Sequence, residues 1–161
     1  MLESWKDFYV AATGASSAMA GLVFVALSIN LTKILTAPGL PARAAETILV
    51  LSAALIAGLV GLIPGQSAQT FGLELAAVGL TAWGVPTAFQ IVAAKANQYQ
   101  SRGRFLLRVA LHQVATVPLL MASVLMLTAS SNGEYWLAAG MVLTLVVGLL
   151  NAWVLLVEIM R

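Results

Sequence analysis

The sequence contains no cysteine, one histidine and one aspartate, and only 9% of its 161 residues are charged. Without cysteine there can be no disulfide, thiolate metal site or thiol nucleophile. A Ser-His-Asp triad is implausible because the one aspartate, Asp7, lies in the N-terminal tail, whereas His112 lies deep in an apolar run. Neither an HExxH motif nor a glycine-rich phosphate loop is present. We therefore expect no enzymatic activity, no cofactor and no metal site.

What the chain has instead is apolar sequence, which makes up 61% of its residues and gives a mean hydropathy of +0.97. An ordinary soluble domain has about a quarter of its residues charged. The net charge of +2 does not indicate a nucleic-acid partner, because the basic residues lie between apolar runs and are not gathered on one solvated face. The composition predicts an integral membrane protein whose main partner is the lipid bilayer.

Five apolar runs are long enough to cross a bilayer, whose core of about 30 Å needs about 20 helical residues. They cover residues 9–32, 42–64, 69–92, 105–129 and 135–158. The connectors between them are rich in Pro, Gly, Asn and Ser, as turns are. We expect an all-α polytopic helical bundle that forms one transmembrane domain over residues 1–161. An alternative remains for segment 60–72, which contains GLIPGQSAQTFG and could form a re-entrant hairpin, leaving four spans.

The distribution of basic residues predicts the orientation of the five spans, because Lys and Arg near span ends are retained in the cytoplasm. One basic residue, Lys6, falls on the side of the N-terminus. Seven fall on the other side: Lys33, Arg43, Lys95, Arg102, Arg104, Arg108 and Arg161. This asymmetry places the N-terminus outside and the C-terminus in the cytoplasm. Aromatic residues are expected at both membrane interfaces. Those predicted at the outer interface are Trp5, Phe8, Tyr9, Phe71, Tyr135 and Trp136, and those predicted at the inner interface are Tyr99 and Phe105.

Small residues recur at helical spacing in the first three runs. Helices in lipid associate through close packing, which favours such residues at their contacts. The predicted packing residues are Gly14, Ser17, Ala18, Gly21, Gly58, Gly61, Gly72 and Gly79. The small-residue half of the first span is therefore expected to be a central packing element. The functional alternative is that hydroxyls of Thr13, Ser16 and Ser17 line a narrow pore.

Polar side chains within the apolar runs are candidates for function, because they are costly in hydrocarbon. The candidates for lining a pathway are His112, Gln113, Asn151, Gln90, Asn30 and Glu74. At a rise of about 1.5 Å per residue, the first three share a level about 10–12 Å above the cytoplasmic edge. Glu74 falls near the outer surface, too far from His112 for a direct pair. Glu46, at an inner helix end, is expected to be solvated.

A run of Arg104, Arg108, His112 and Thr116 places four polar side chains on one helical face. One hypothesis is an entry path for an anion, or a proton relay that ends at His112. The other is that the arginines reach lipid head groups while His112 makes a neutral hydrogen bond between helices. The cations expected to attract anionic head groups are Lys95, Arg102, Arg104 and Arg108.

The segment YVAATGASSAMAGLVFVALSINL, residues 9–31, is followed by a short basic turn and further apolar spans. This pattern resembles a group of small, multi-span bacterial membrane proteins that are largely uncharacterised, some of them labelled as modulators of a membrane AAA protease. The resemblance implies a location in the bacterial inner membrane and assigns no functional residue.

Two functional hypotheses follow. The first is a homo-oligomeric channel or transporter for an ion or small solute, in which the polar layer lines the path and Glu74 lies at its outer mouth. The second is a non-catalytic regulatory or assembly subunit that docks to itself, or to a larger membrane protein complex, through its small-residue helix faces.

Overall fold

The computed structural model describes residues 2–96, 101–130 and 132–159, and its regular structure there is entirely helical. A 3-10 helix, Leu2–Trp5, precedes six α-helices: α1 Lys6–Ile29, α2 Leu31–Thr36, α3 Leu40–Gly61, α4 Ala68–Lys95, α5 Arg102–Leu127 and α6 Gly133–Ile159. Among the described residues, all of these α-helices except α2 are long and apolar enough to cross a membrane. The prediction of an all-α chain with five candidate spans is confirmed. Tyr99 and Arg161, used in the sequence argument, lie outside the described residues.

Local chemistry explains where the helices begin and end. α1 stops at Ile29, three residues earlier than predicted, because the Asn30 amide turns back and donates to the Ala26 carbonyl at 2.9 Å. Before α3, Gly39 has a φ of +80°, a left-handed conformation that glycine adopts at little cost. α4 begins where the Ser67 hydroxyl accepts a hydrogen bond from the Thr70 N–H at 3.1 Å. Residues 62–67 thus connect two helices of spanning length, which favours five spans over a re-entrant hairpin.

The five long helices run alternately up and down, as the contacts between their ends show, and α3 lies in the middle, packed against α1, α4 and α6. Gly61 at the end of α3 lies beside the rings of Tyr9 and Phe71, near the starts of α1 and α4. We call this the aromatic end of the bundle. The opposite end, where α4 ends and α5 begins, is called the basic end because it carries Lys33, Arg43, Lys95, Arg102 and Arg104.

Two of the aromatic side chains expected at the lipid–water interface are instead part of the core. Tyr9 and Phe71 are both completely buried, and their ring centroids are 6.1 Å apart. These two rings do not face lipid, because their helix faces point toward α3, and their depth at the outer interface stays a prediction. Tyr135 and Trp136 do remain on the outside of the bundle.

Glycines allow close helix contacts at several places. The predicted packing residues Gly58, Gly61, Gly72 and Gly79 all lie at such contacts, where an added Cβ atom would meet a neighbouring helix at 2.2 to 3.0 Å. Two further glycines on α6, which the sequence reasoning did not single out, are equally tight. A Cβ atom on Gly140 would lie 2.7 Å from Leu119, and one on Gly148 would lie 2.5 Å from Leu51.

The small-residue face of α1 is different. Gly14, Ser17, Ala18 and Gly21 are exposed, and a Cβ atom added to either glycine would have nothing within 4 Å. The expectation that this half of α1 is a central packing element is wrong for the single chain, because α1 lies at the edge of the bundle and α3 takes the centre. Ser16 is buried and its hydroxyl bonds to the Ala12 carbonyl of its own helix at 2.6 Å, whereas Ser17 is exposed, so the two hydroxyls do not face a common path.

Large apolar side chains cover the outside of the bundle. Examples on three different helices are Leu22, Val92 and Trp153, each more than 60% exposed. In water, apolar patches of this extent would drive association. Next to lipid chains they are in a favourable environment, as a multi-pass membrane protein requires.

Candidate functional site

A buried carboxylate lies in the second turn of α3. Glu46 is only 1% exposed, so the expectation that it is solvated is wrong. Residues three to four positions apart share a helix face, and Glu46 shares its face with Val50, Ala54 and Ala57. All three of these are buried against neighbouring helices, and the same face carries the carboxylate into the bundle.

Two other helices supply the hydrogen bonds to this carboxylate. Arg108 of α5 donates from Nε to Glu46 Oε2 at 2.8 Å, and its terminal Nη2 donates to the same oxygen. Gln90 of α4 donates from Nε2 to Glu46 Oε1 at 2.8 Å. Each residue lies five or six positions from the basic end of its helix, which is about 8–9 Å at 1.5 Å per residue. The three side chains therefore meet at one level; we call them the Glu46 cluster.

The predicted contact of Arg108 with lipid head groups is therefore wrong, because its guanidinium is committed to Glu46 and its side chain is only 17% exposed. The other three predicted head-group cations, Lys95, Arg102 and Arg104, are exposed at the basic end. Their contact with lipid stays a prediction. Along the stripe predicted on α5, burial increases from the exposed Arg104 through Arg108 to the fully buried His112 and Thr116.

His112 lies one turn beyond Arg108 and is anchored to α4. Its Nε2 is 3.2 Å from the backbone oxygen of Trp83. A carbonyl oxygen only accepts, so in this arrangement Nε2 carries the proton and donates. The next residue, Gln113, accepts a hydrogen bond at 2.7 Å from the Trp83 indole N–H. Trp83 thus holds two adjacent polar residues of α5 in place. The imidazole of His112 makes a hydrogen bond between helices, as one of the two hypotheses for the α5 stripe predicted.

The structure brings only some of the pathway candidates together. Gln90 belongs to the Glu46 cluster, and His112 and Gln113 lie one turn further into the bundle. Asn30 bonds to its own helix. Within the described residues, Asn151 on α6 makes no hydrogen bond to His112 or Gln113. Glu74, near the aromatic end, accepts a hydrogen bond from Gln66, as expected for a residue remote from His112.

Two grooves on the bundle surface lie away from this site. The first, of about 280 Å³, runs between α1 and α3 beside Gly21 and Phe24. The second, of about 260 Å³, runs between α3 and α4 beside Ile56 and Thr81. Neither is lined by the Glu46 cluster or by His112. Among the described residues, no group of three His, Asp or Glu side chains is placed to hold a metal ion.

Sequence reasoning misjudged Glu46 as solvated, and it missed Trp83 and a second buried acid at the aromatic end. Glu134 of α6 is only 4% exposed. A signal for Glu46 was present, because it is in register with the small residues of α3 that indicate a packing face. Nothing comparable marks Trp83, whose role depends on facing α5.

No protein-family model matches the chain, and comparisons with curated proteins and with solved structures find no match either.

Proposed function

We propose that the chain is a transporter for an ion or a small solute and that the Glu46 cluster and His112 lie on its path. The observation that carries this proposal is the buried carboxylate of Glu46, paired with Arg108, within helices of spanning length. The proposal includes the orientation argued from the basic residues, with the N-terminus outside. It also includes the bacterial inner membrane as the location implied by the resemblance of residues 9–31.

Energetics support a functional reason for the cluster. Removing two charges from water costs several kcal/mol per ion, and a buried pair often contributes no more stability than apolar side chains of the same volume. Ionisable residues inside membrane proteins accordingly mark ion and proton paths in many cases. This chain has few charges to place, with eight basic and six acidic residues in all. A fully buried carboxylate is therefore difficult to explain by stability alone.

The position of the cluster favours a transporter over a permanently open channel. Gln90 and His112 are buried between α3, α4 and α5 of one chain, so a path along them starts inside the subunit at the basic end. Toward the aromatic end, Leu75, Leu119 and Met126 close the core. A solute could pass only if the helices moved, as they do when access alternates between the two sides.

Flux into vesicles tests the proposal. Purified protein is reconstituted into liposomes, and uptake of protons, K⁺ and Cl⁻ is followed under imposed gradients with dyes trapped inside. Glu46→Gln and His112→Ala are expected to abolish flux. Arg104→Gln is the matched control, because Arg104 is an exposed cation one turn from Arg108. The proposal is wrong if, under every gradient, uptake into vesicles that contain the wild-type protein is no faster than uptake into protein-free vesicles.

A second candidate function, assembly, is favoured by the exposed small-residue face of α1. Gly14 and Gly21 leave room for another helix to approach, which is how small residues promote association in lipid. We propose that this face binds a second copy of the chain, or a helix of a larger membrane complex.

The absence of native cysteine makes this second candidate easy to test. Single cysteines are placed at Ala18, on the small-residue face, and at Leu73, which is also exposed on the outside of the bundle, on α4. Oxidation in native membranes is expected to produce disulfide-linked dimers for Ala18→Cys and not for Leu73→Cys. Equal cross-linking at both positions, or none at Ala18, would contradict self-association through α1.

A further inference from the structure

Three buried polar atoms on the facing surfaces of α4 and α5 have no partner among the described residues. They are Thr87 Oγ1, Gln90 Oε1 and His112 Nδ1. Gln90 is 3% exposed and His112 is fully buried. Buried polar atoms in folded proteins nearly always have a hydrogen-bond partner, either protein or bound water. Three exceptions in one seam between two helices therefore require an explanation.

Helix register places the three residues along one seam between α4 and α5. Trp83, Thr87 and Gln90 are separated by four and three residues, so they lie on one face of α4. On the facing side, Arg108 and His112 are one turn apart on α5. The contact of His112 with the Trp83 carbonyl and the shared contact of Gln90 and Arg108 with Glu46 fix the two ends of this seam. Thr87 lies between these two contacts.

Thr87 differs from three other buried hydroxyls of the spanning helices. Ser16, Thr47 and Thr116 each donate to the carbonyl four residues earlier. For Thr87 that carbonyl belongs to Trp83, which already accepts from His112. The hydroxyl of Thr87 is thus available to a different acceptor.

The hydrogen-bonding chemistry of the three atoms specifies what can join them. With Nε2 donating to Trp83, Nδ1 of a neutral His112 is an acceptor, and Gln90 Oε1 is an acceptor as well. The Thr87 hydroxyl can donate one hydrogen bond. Two acceptors and one donor match a small molecule that donates twice and accepts once. A cation fits less well, because the charge of Glu46 is already matched by Arg108.

We infer that the seam between α4 and α5 is a binding site for internal water, held by Thr87, Gln90 and His112. A buried water in a folded protein makes about three hydrogen bonds to groups that would otherwise be unpaired. Water here links the imidazole of His112 to the Glu46 cluster through Gln90. The site goes beyond the transport proposal, because it holds whether or not any solute crosses the membrane.

His112 is the one histidine in the sequence, which makes its ring a site-specific probe. Protein labelled with ¹³C,¹⁵N-histidine, and purified without a histidine tag, is reconstituted in lipid bilayers for solid-state NMR. Magnetisation is transferred from water protons to the protein, and its arrival at the imidazole is followed with mixing time. Transfer to the ring at short mixing times is expected for the wild-type protein despite its complete burial.

Variants separate bound water from general hydration. Thr87→Val, which keeps the side-chain shape, and Gln90→Leu are expected to cause loss of the early transfer to His112. Thr116→Val is the matched control, because its buried hydroxyl already bonds within α5, and the transfer should be unchanged. If the wild-type ring receives no water magnetisation at short mixing times, or if Thr87→Val leaves the transfer intact, the inferred site is wrong.

Discussion

Removing either member of the Glu46–Arg108 pair should destabilise the bundle, and the two replacements should differ in size. Arg108→Leu leaves a carboxylate that is 1% exposed with Gln90 as its remaining partner. Loss of one partner of a buried ion pair costs about 3–5 kcal/mol. Glu46→Leu leaves a guanidinium whose side chain is already 17% exposed and can turn toward the basic end. The remaining penalty is the unpaired Gln90 amide, about 1–3 kcal/mol.

The free energies of unfolding should therefore differ by about 2 kcal/mol between the two variants, roughly a 30-fold difference in the unfolding constant. The double variant Glu46→Leu/Arg108→Leu should be no less stable than Arg108→Leu alone, because no charge is left buried without a partner. Unfolding by SDS in mixed micelles, followed through the fluorescence of the four tryptophans, gives these values. The reasoning is refuted if Arg108→Leu is the milder single replacement, or if the two penalties simply add.

Other expectations concern packing, anchoring and orientation. Gly140→Ala should cost about 1–3 kcal/mol by overpacking, since the added Cβ atom would lie 3.0 Å from the Leu119 backbone nitrogen. Gly14→Ala, in open space, should raise stability by up to about 1 kcal/mol in the same unfolding assay. Trp83→Phe removes the hydrogen bond to Gln113 and should lower the free energy of unfolding by about 1 kcal/mol, which a shift of the SDS midpoint would show. A phosphatase fused after Arg161 should be inactive and a fluorescent protein fused there should fluoresce, as the proposed cytoplasmic C-terminus requires; the reverse pattern would overturn the orientation.

The helices were predictable from sequence because the requirement that produces them is local. A segment that crosses lipid must satisfy its own backbone hydrogen bonds and carry apolar side chains. Each span is therefore determined by about 20 consecutive residues and can be recognised from them alone. Boundary errors of a few residues come from capping. The Asn30 side chain ends α1 within an apolar run, and that effect depends on one hydrogen bond to Ala26 and not on hydropathy.

The site was less predictable because it depends on which helix faces meet. Gly14 and Gly58 are equally small, yet only Gly58 lies against another helix. Similarly, Glu46 was judged by its distance from a helix end, whereas its environment is set by the face it occupies on the central helix α3. Its partner Arg108 lies 62 residues later in the sequence. The spacing of residues along a single helix does not indicate such a tertiary contact.

That separation also has a consequence for biosynthesis. At about 5–20 residues per second, roughly 3 to 12 s pass between synthesis of Glu46 and synthesis of Arg108. Throughout this interval the nascent α3 carries an acidic group without its counter-ion. We expect the early insertion intermediate to keep that group among head groups or in water until α5 supplies Arg108.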